Sequence, residues 1–315
     1  MFAIATSLAG EYHYEFDNYC RFLRYVEGQW IMTEIGDRIA SMIRYQAPGW
    51  KRPGLVTMSW SGQVVFLGDT VWEEHIPDAG IDDGNGYINR IVDIDGVLFT
   101  CGDMGQIFRR MESGEWVHTD NGTYSASGVS VPEEPSRGKF FSINTIASID
   151  FMRFYAAGNA TASIGLLFTR AQNDPWQRVP LPDGTKWLLD IAIEDEETIF
   201  LSTRGHILKG NLQSGFAPVP FASPADRNPH NPDITALAFY KGHLHSADGA
   251  GICRLDSDGL HRLEGFDNRQ IGPHTLQVSD GYLWVFGYRG VARFDGTIWK
   301  YYHPPRLSSD PNSDL

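Results

Sequence analysis

An all-β fold assembled from small repeated sheets is what this sequence predicts, on three observations. Short runs of alternating apolar and polar residues recur along the chain, as in Phe22-Leu23-Arg24-Tyr25-Val26 and Trp284-Val285-Phe286, and period two marks a half-buried strand. Gly and Asp turns divide the runs, and no stretch of a dozen residues keeps a helical period free of Gly and Pro. A bulky residue opening each outer strand returns at Trp30, Trp72, Trp116, Trp176, Phe216, Leu260 and Trp299, in steps of 42, 44, 60, 40, 44 and 39 residues. Six steps mean seven units. Four-stranded units of roughly 40–50 residues are the signature of a β-propeller, in which each sheet buries its faces against two neighbours. The expectation is a seven-bladed propeller of four-stranded antiparallel blades. A pair of β-sandwiches is the alternative, and near-equal repeats without a linker speak against it.

The units follow in order. The first is complete from Phe2 and closes on Trp30, and the second closes on Trp72. The third shows the pattern most clearly: Ile88–Ile94, the turn Asp95-Gly96, Val97–Gly102, the turn Asp103-Met104-Gly105, Gln106–Arg110, then Ser113-Gly114 and Glu115–His118. The one long step falls between the third and fourth units, in Thr119–Lys139, a link rich in Ser, Gly, Pro and Glu. The fifth unit has runs Leu188–Ile193, Thr198–Thr203, His206–Lys209 and Gly215–Val219. The sixth has Ile234–Phe239, His243–Ala247, Gly251–Leu255 and Gly259–Leu263, and the seventh runs from Thr275 through Asp280-Gly281, Tyr282–Gly287, Val291–Phe294 and Asp295-Gly296 to Lys300. The expected layout is one domain over 1–307, with blades at about 1–36, 37–80, 81–122, 140–183, 184–222, 233–266 and 267–303, and a frayed tail at 308–315.

Composition bounds the partners. The chain of 315 residues has 39 acidic and 26 basic side chains, a formal net charge of −13, and 13% aromatic residues. That aromatic content supports a large core and excludes global disorder. The charge repels phosphate backbones and favours encounter with a basic protein, so no direct nucleic-acid contact is expected. Three cysteines, Cys20, Cys101 and Cys253, are widely spaced and read as buried reduced thiols rather than a redox set. The N-terminus has a short apolar stretch with no basic residue before it, and no window approaches a membrane span, so a cytoplasmic location is expected and no membrane association.

A propeller presents two ends. One carries the turns between the second and third strands of each blade together with the links from blade to blade, and long links on a rigid scaffold are where function concentrates. Four links here are long and polar: Pro77–Gly86 with Asp78, Asp82 and Asp83; Thr119–Lys139 with Asp120, Tyr124, Glu133 and Glu134; Phe221–Asp233 with Asp226, Arg227 and His230; and Gly265–His274 with Asp267 and Arg269. The second-to-third turns add Trp60, Asp103, Met104, Asp248, Tyr288 and Arg289. Candidate partner-binding residues are therefore Trp60, Asp78, Asp82, Asp83, Asp103, Met104, Tyr124, Glu133, Glu134, Asp226, Arg227, Asp248, Asp267, Tyr288 and Arg289; taken singly, each also fits a solvated connector. Glu194-Asp195-Glu196-Glu197 sits at a first-to-second turn, on the opposite end, and reads as a solvated turn.

Motifs for chemistry are wanting. GxSxG, HExxH, P-loop and dinucleotide fingerprints are missing in their proper contexts. His243 and His245 share one side of a strand but have no identifiable third metal ligand. Asp82-Asp83-Gly84-Asn85-Gly86 and Asp256-Ser257-Asp258-Gly259 lack the spacing and the glutamate of a calcium loop and read as turns. Ser113-Gly114-Glu115-Trp116 faintly resembles a sialidase Asp-box without its core. No catalytic residue, cofactor or metal is expected.

The recurring order of strand, Asp-Gly, strand ending in Gly, Gly, strand, Gly and bulky aromatic, as in Asp95-Gly96, Gly102, Gly105, Gly114 and Trp116, resembles a class of bacterial propellers. It lacks the Gly-His and Trp-Asp signatures of tryptophan-aspartate repeats and the paired glycines of kelch repeats. It looks partly like photosystem-assembly-factor and BNR-type propellers. It most resembles the propeller-type immunity partners of type VI secretion nuclease effectors. That resemblance implies an immunity protein that binds a cognate cytosol-acting toxin 1:1, is otherwise monomeric, and covers the toxin's basic substrate groove, with aromatic or arginine anchors such as Trp60, Tyr124, Tyr288 and Arg289 ringed by acids. It implies no catalytic residues, because that class acts by binding. A non-catalytic scaffold or assembly factor, and a glycosidase- or lyase-like enzyme with paired carboxylates in its channel, are the competing readings.

Overall fold

A computed structural model describes residues 2–6, 20–35, 39–80, 85–123, 141–160, 164–227, 233–287 and 289–304. The chain is an all-β propeller with four-stranded antiparallel blades. Blade 1 comprises β4 (Ile39–Tyr45), β5 (Gly54–Ser59), β6 (Gln63–Leu67) and β7 (Val71–His75). Blade 2 comprises β8 (Ile88–Ile94), β9 (Val97–Gly102), β10 (Ile107–Arg110) and β11 (Trp116–His118). Blade 3 has β12 (Phe141–Ile149), β13 (Arg153–Ala160), β14 (Ile164–Ala171) and β15 (Gln177–Val179). Blade 4 has β16 (Asp190–Asp195), β17 (Thr198–Ser202), β18 (Ile207–Asn211) and β19 (Gly215–Val219). Blade 5 has β20 (Ile234–Tyr240), β21 (His243–Asp248), β22 (Gly251–Asp256) and β23 (Gly259–Arg262). Blade 6 has β24 (Pro273–Ser279), β25 (Tyr282–Gly287), β26 (Gly290–Phe294) and β27 (Trp299–Tyr302).

Ahead of these lies an N-terminal sheet of β1 (Phe2–Thr6), β2 (Cys20–Val26) and β3 (Gln29–Ile35). Seven four-stranded blades were expected, and here the structure differs. Among the described residues six sheets have four strands and the N-terminal one has three. Phe2–Thr6 pairs directly with Arg21–Tyr25, the outer strand carrying Trp30 follows, and blade 1 opens at Ile39, which leaves that unit without a fourth described run.

Within every sheet the strands are hydrogen-bonded in sequence order, so each is a meander. The hairpins explain the recurring dipeptides. Asp95-Gly96, Lys241-Gly242 and Asp280-Gly281 all have two consecutive positive φ values, from 48° to 85°, the conformation that a two-residue turn needs to match strand twist. The first strands β4, β8, β12, β16, β20 and β24 neighbour one another in that order and form the inner wall.

The core is divided into layers between blades. Phe99, Cys101 and Ile107 of blade 2 pack on Phe141, Ile143, Phe168 and Trp176 of blade 3, and equivalent layers join every later pair. Burial of each such side chain contributes ~1.5–3 kcal/mol. Cys101 and Cys253 lie in these layers, where burial pushes both thiols up to about 12. The N-terminal sheet packs on blade 6, with Tyr25 edge-on to both Trp30 and Tyr302 at 5.2 and 5.3 Å between ring centres.

Between blades 1 and 2 an ion pair joins the layer. Arg110 reaches Glu74 through Nε at 2.8 Å and Nη2 at 2.5 Å, and the indoles of Trp72 and Trp116 also donate to the Glu74 carboxylate. The guanidinium lies 5.1 Å from the centre of the Phe66 ring, which stacks on Trp72. Burial alone raises Glu74, but the bonds from Arg110, Trp72 and Trp116 outweigh it and hold the carboxyl below its ordinary value. Glu74→Gln is expected to lower stability by about 2 kcal/mol at neutral pH in urea titrations. Because the folded value lies below the unfolded one, the carboxylate's contribution is complete above the ordinary glutamate range and is lost as pH falls below it. The gap between wild type and variant should therefore shrink on acidification from pH 6 to pH 3.

Candidate partner-binding face

The second-to-third turns and the links share one end, and backbone bonds hold them together. Ile88 N donates to Trp60 O at 3.1 Å, Asp103 bridges to Ser142, Leu188 N donates to Gly158 O at 3.4 Å, and Ile234 N donates to Thr203 O at 3.2 Å. The turn of one blade is thus bonded to the opening strand of the next. The Glu194–Glu197 turn joins β16 to β17 at the other end and is exposed, as expected.

The candidate residues separate into groups. Trp60 lies against Tyr87 with ring centres 4.9 Å apart. Asp103 accepts from Tyr87 N through Oδ2 and from the Asn89 side chain through Oδ1, both at 3.2 Å, and Asn89 passes the chain on to Ser142 Oγ at 2.9 Å. Ser142 continues to Asn144, whose amide donates to Asn159 Oδ1 and Leu188 O. Asn89 and Asn144 are bulged residues of the inner strands β8 and β12. Below them Arg90 of blade 2 reaches past blade 3 to the buried Asp190 of blade 4 at 2.9 Å, and Asp190 also accepts from Leu237 N of blade 5.

Asp226 and Asp248 form a second group. Arg262 Nη1 and Nη2 grip Asp248 at 2.8 and 2.9 Å, Nη2 also donates to Asp226 O, and Arg262 N donates to Asp226 Oδ1. Asp248, expected as a contact residue, is buried and further occupied by the amides of Ala250 and Gly251. Arg227 beside them is exposed. In a third group, Asp267 caps a single helical turn, α1 (Asn268–Ile271), through Arg269 N, and a bond from Gln270 holds its carboxyl below the usual value. This link was expected to be a simple loop; Asp267 before the turn and Gly272 at φ 62° after it stabilise one turn of helix. Arg289 donates to Arg269 O at 3.0 Å. Asp82, Asp83, Tyr124, Glu133, Glu134 and Tyr288 lie outside the described residues.

Asp78 and Met104 meet at a cavity of about 420 Å³ that Asn85, Gln106, His118 and Asp120 also line. Gln106, His118 and Asn85 were not among the candidates. Their position right after the Asp103-Met104-Gly105 turn, right after the Trp116 marker and within the first long link was the available signal. Met104 and Gly105 both have positive φ, and a side chain at Gly105 would meet the Phe141 ring. His243 and His245 share a strand face but not an environment: His243 is exposed, whereas burial depresses His245 to about 4. Among the described residues no group of three or more His, Cys, Asp or Glu side chains is placed to hold a metal ion, and no helix is long and apolar enough to cross a membrane.

Comparison with known proteins adds the following. No family model matches the chain. The chain is similar to the immune protein Tsi7 of Pseudomonas aeruginosa, with 24% identity over 262 residues that cover 76% of this chain and 72% of Tsi7. Among solved structures it resembles virginiamycin B lyase from Staphylococcus aureus, with a TM-score of 0.61, 12% identity and 85% of each chain covered. The WD40 β-propeller domain of Doa1 superposes with a TM-score of 0.59 and 12% identity over 93% of this chain and 89% of that one. At such identities the structural likenesses establish the fold alone.

The bonding separates scaffold from available surface. Asp248→Asn should lower stability by about 2 kcal/mol, since it weakens a buried pair and two further bonds. Asp78→Asn and Arg227→Ala, at exposed positions, should stay within about 0.5 kcal/mol of wild type. Chemical denaturation of the three variants checks both outcomes.

Proposed function

We propose that this chain is an immunity protein that binds a cognate bacterial toxin and inhibits it by occupying its substrate groove. The observation that carries this reading is the likeness to an immune protein over three-quarters of the chain. The fold agrees with it: a rigid ring gathers its links on one end, where a second protein can dock without loss of chain entropy. The toxin, in this reading, is a type VI secretion nuclease effector acting in the cytoplasm. A nuclease presents a basic groove to its substrate, and a chain with net charge −13 is drawn to that groove by long-range attraction. The complex is 1:1, the free protein is monomeric, and the chain itself performs no chemistry and binds neither nucleic acid nor membrane. The N-terminal sheet serves as the seventh blade, and its packing on blade 6 supports this placement.

Co-expression of the chain with the toxin should restore growth, and the purified pair should run as one complex of each in size-exclusion chromatography with light scattering. A partner that binds but has no toxic activity would sink the proposal. Reversing the charge at Asp82, Asp83, Glu133 and Glu134 should slow association at least tenfold at low salt and change dissociation little. Stopped-flow kinetics at two salt concentrations read this, and unchanged rates at low salt would count against the acidic face.

A further inference from the structure

We infer that the part of the partner-binding end over blades 4, 5 and 6 is a basic surface that recognises carboxylates on the partner protein, opposite in sign to the part over blades 1 and 2. The inference rests on the partner-binding reading above and adds the chemistry of a second contact. Two pairs of arginines carry it. Arg204, in the second-to-third turn of blade 4, and Arg227, in the link from blade 4 to blade 5, are both exposed. Burial, and then the charge of Arg227, hold His206 of that same turn below its ordinary value, which places Arg227 beside the turn. Arg269, in the link from blade 5 to blade 6, and Arg289, in the second-to-third turn of blade 6, are exposed as well, and Arg289 Nη1 donates to Arg269 O at 3.0 Å.

The acids of this part serve the scaffold. Asp248 is buried under Arg262, Asp226 Oδ1 accepts from Arg262 N, and Asp267 caps α1. Asp233 Oδ1 lies 3.3 Å from Arg204 Nε, and Glu264 is the exposed acid of the link that carries Arg269. The mounting is fixed: Arg262 Nη2 donates to Asp226 O at 2.6 Å and the Asn268 amide to Gly249 O at 2.8 Å, so both links are bonded to blade 5 between them. Docking on such backbone orders little chain. Over blades 1 and 2 the sign is reversed. Asp78 is exposed and Asp120 lines the cavity, and the described residues of those turns and links, 60–62, 76–80, 85–87, 103–106 and 119–123, include no Lys or Arg. A guanidinium matches a carboxylate with two parallel bonds, and arginine is a frequent interface anchor. Nucleic acid is the other polyanion, but a net charge of −13 and the acids on the same end repel a long phosphate backbone, which favours discrete carboxylates on a protein.

The test uses the full chain and a hexaglutamate peptide as probe, followed by backbone amide signals in NMR at low salt. Saturable shifts at Arg227, Arg269 and Arg289 are expected, together with no response to hexaglutamine. In the R227E/R269E/R289E variant, whose spectrum elsewhere reports an intact fold, binding should be weaker by about tenfold or more. No saturable shift, an equal shift from hexaglutamine, or an unaltered response in the variant would overturn the basic surface; an equal response to a DNA hexamer would overturn the choice of carboxylate. With the cognate toxin, the same variant should raise Kd by about tenfold or more, and R227Q/R269Q/R289Q should raise it less. If the chain binds no toxin, the functional reading fails while the peptide titration still decides the surface. If it binds toxin equally well with and without the three arginines, the basic surface alone fails.

Discussion

No sheet in this molecule can bury both of its faces by itself, and everything else follows from that constraint. Each blade is apolar on two sides, so a single blade in water would expose one layer of Phe, Ile, Leu and Trp whichever way it packed. Side-by-side packing around an axis satisfies both faces at once. The core consequently appears as successive layers, each made from facing sides of two neighbours. Polar groups also enter these layers, as Glu74 does between two indoles and Arg110. The links fall at one end, because the strand that opens a blade starts where the previous outer strand stops.

This architecture was largely legible in the sequence, because its rules are local. An Asp-Gly pair between alternating runs specifies a hairpin, and a bulky residue four short strands later specifies where a blade ends. Trp72, Trp116, Trp176, Phe216, Leu260 and Trp299 all stand in or directly before outer strands. That the N-terminal sheet shows three strands among the described residues was not legible. The same marker, Trp30, sits in the third described strand there, whereas in the other sheets it stands in or directly before the fourth.

The candidate face was legible in placement and much less in detail. Reading the links as one end held for the described turns, but reading their acids as free surface did not hold throughout. Asp248 is buried by Arg262, which lies fourteen positions away and opens no motif, and Asp103 braces the start of its own blade through Tyr87 N and the Asn89 amide. Such pairings are made by the tertiary fold, and single-residue chemistry cannot separate an acid that braces a turn from one that faces outward. The inner-strand bulges at Asn89 and Asn144 were likewise silent, because one extra residue in a short strand leaves the hydrophobic pattern almost unchanged.

The contact of Tyr25 with Tyr302 has a mechanical consequence. It closes a joint between segments far apart along the backbone, whereas every other layer joins sheets that follow one another directly. Tension applied near the two ends of the described chain would load this contact together with the bonds from Arg44 to Ser279 and Asp280, which also span the two ends of the described chain.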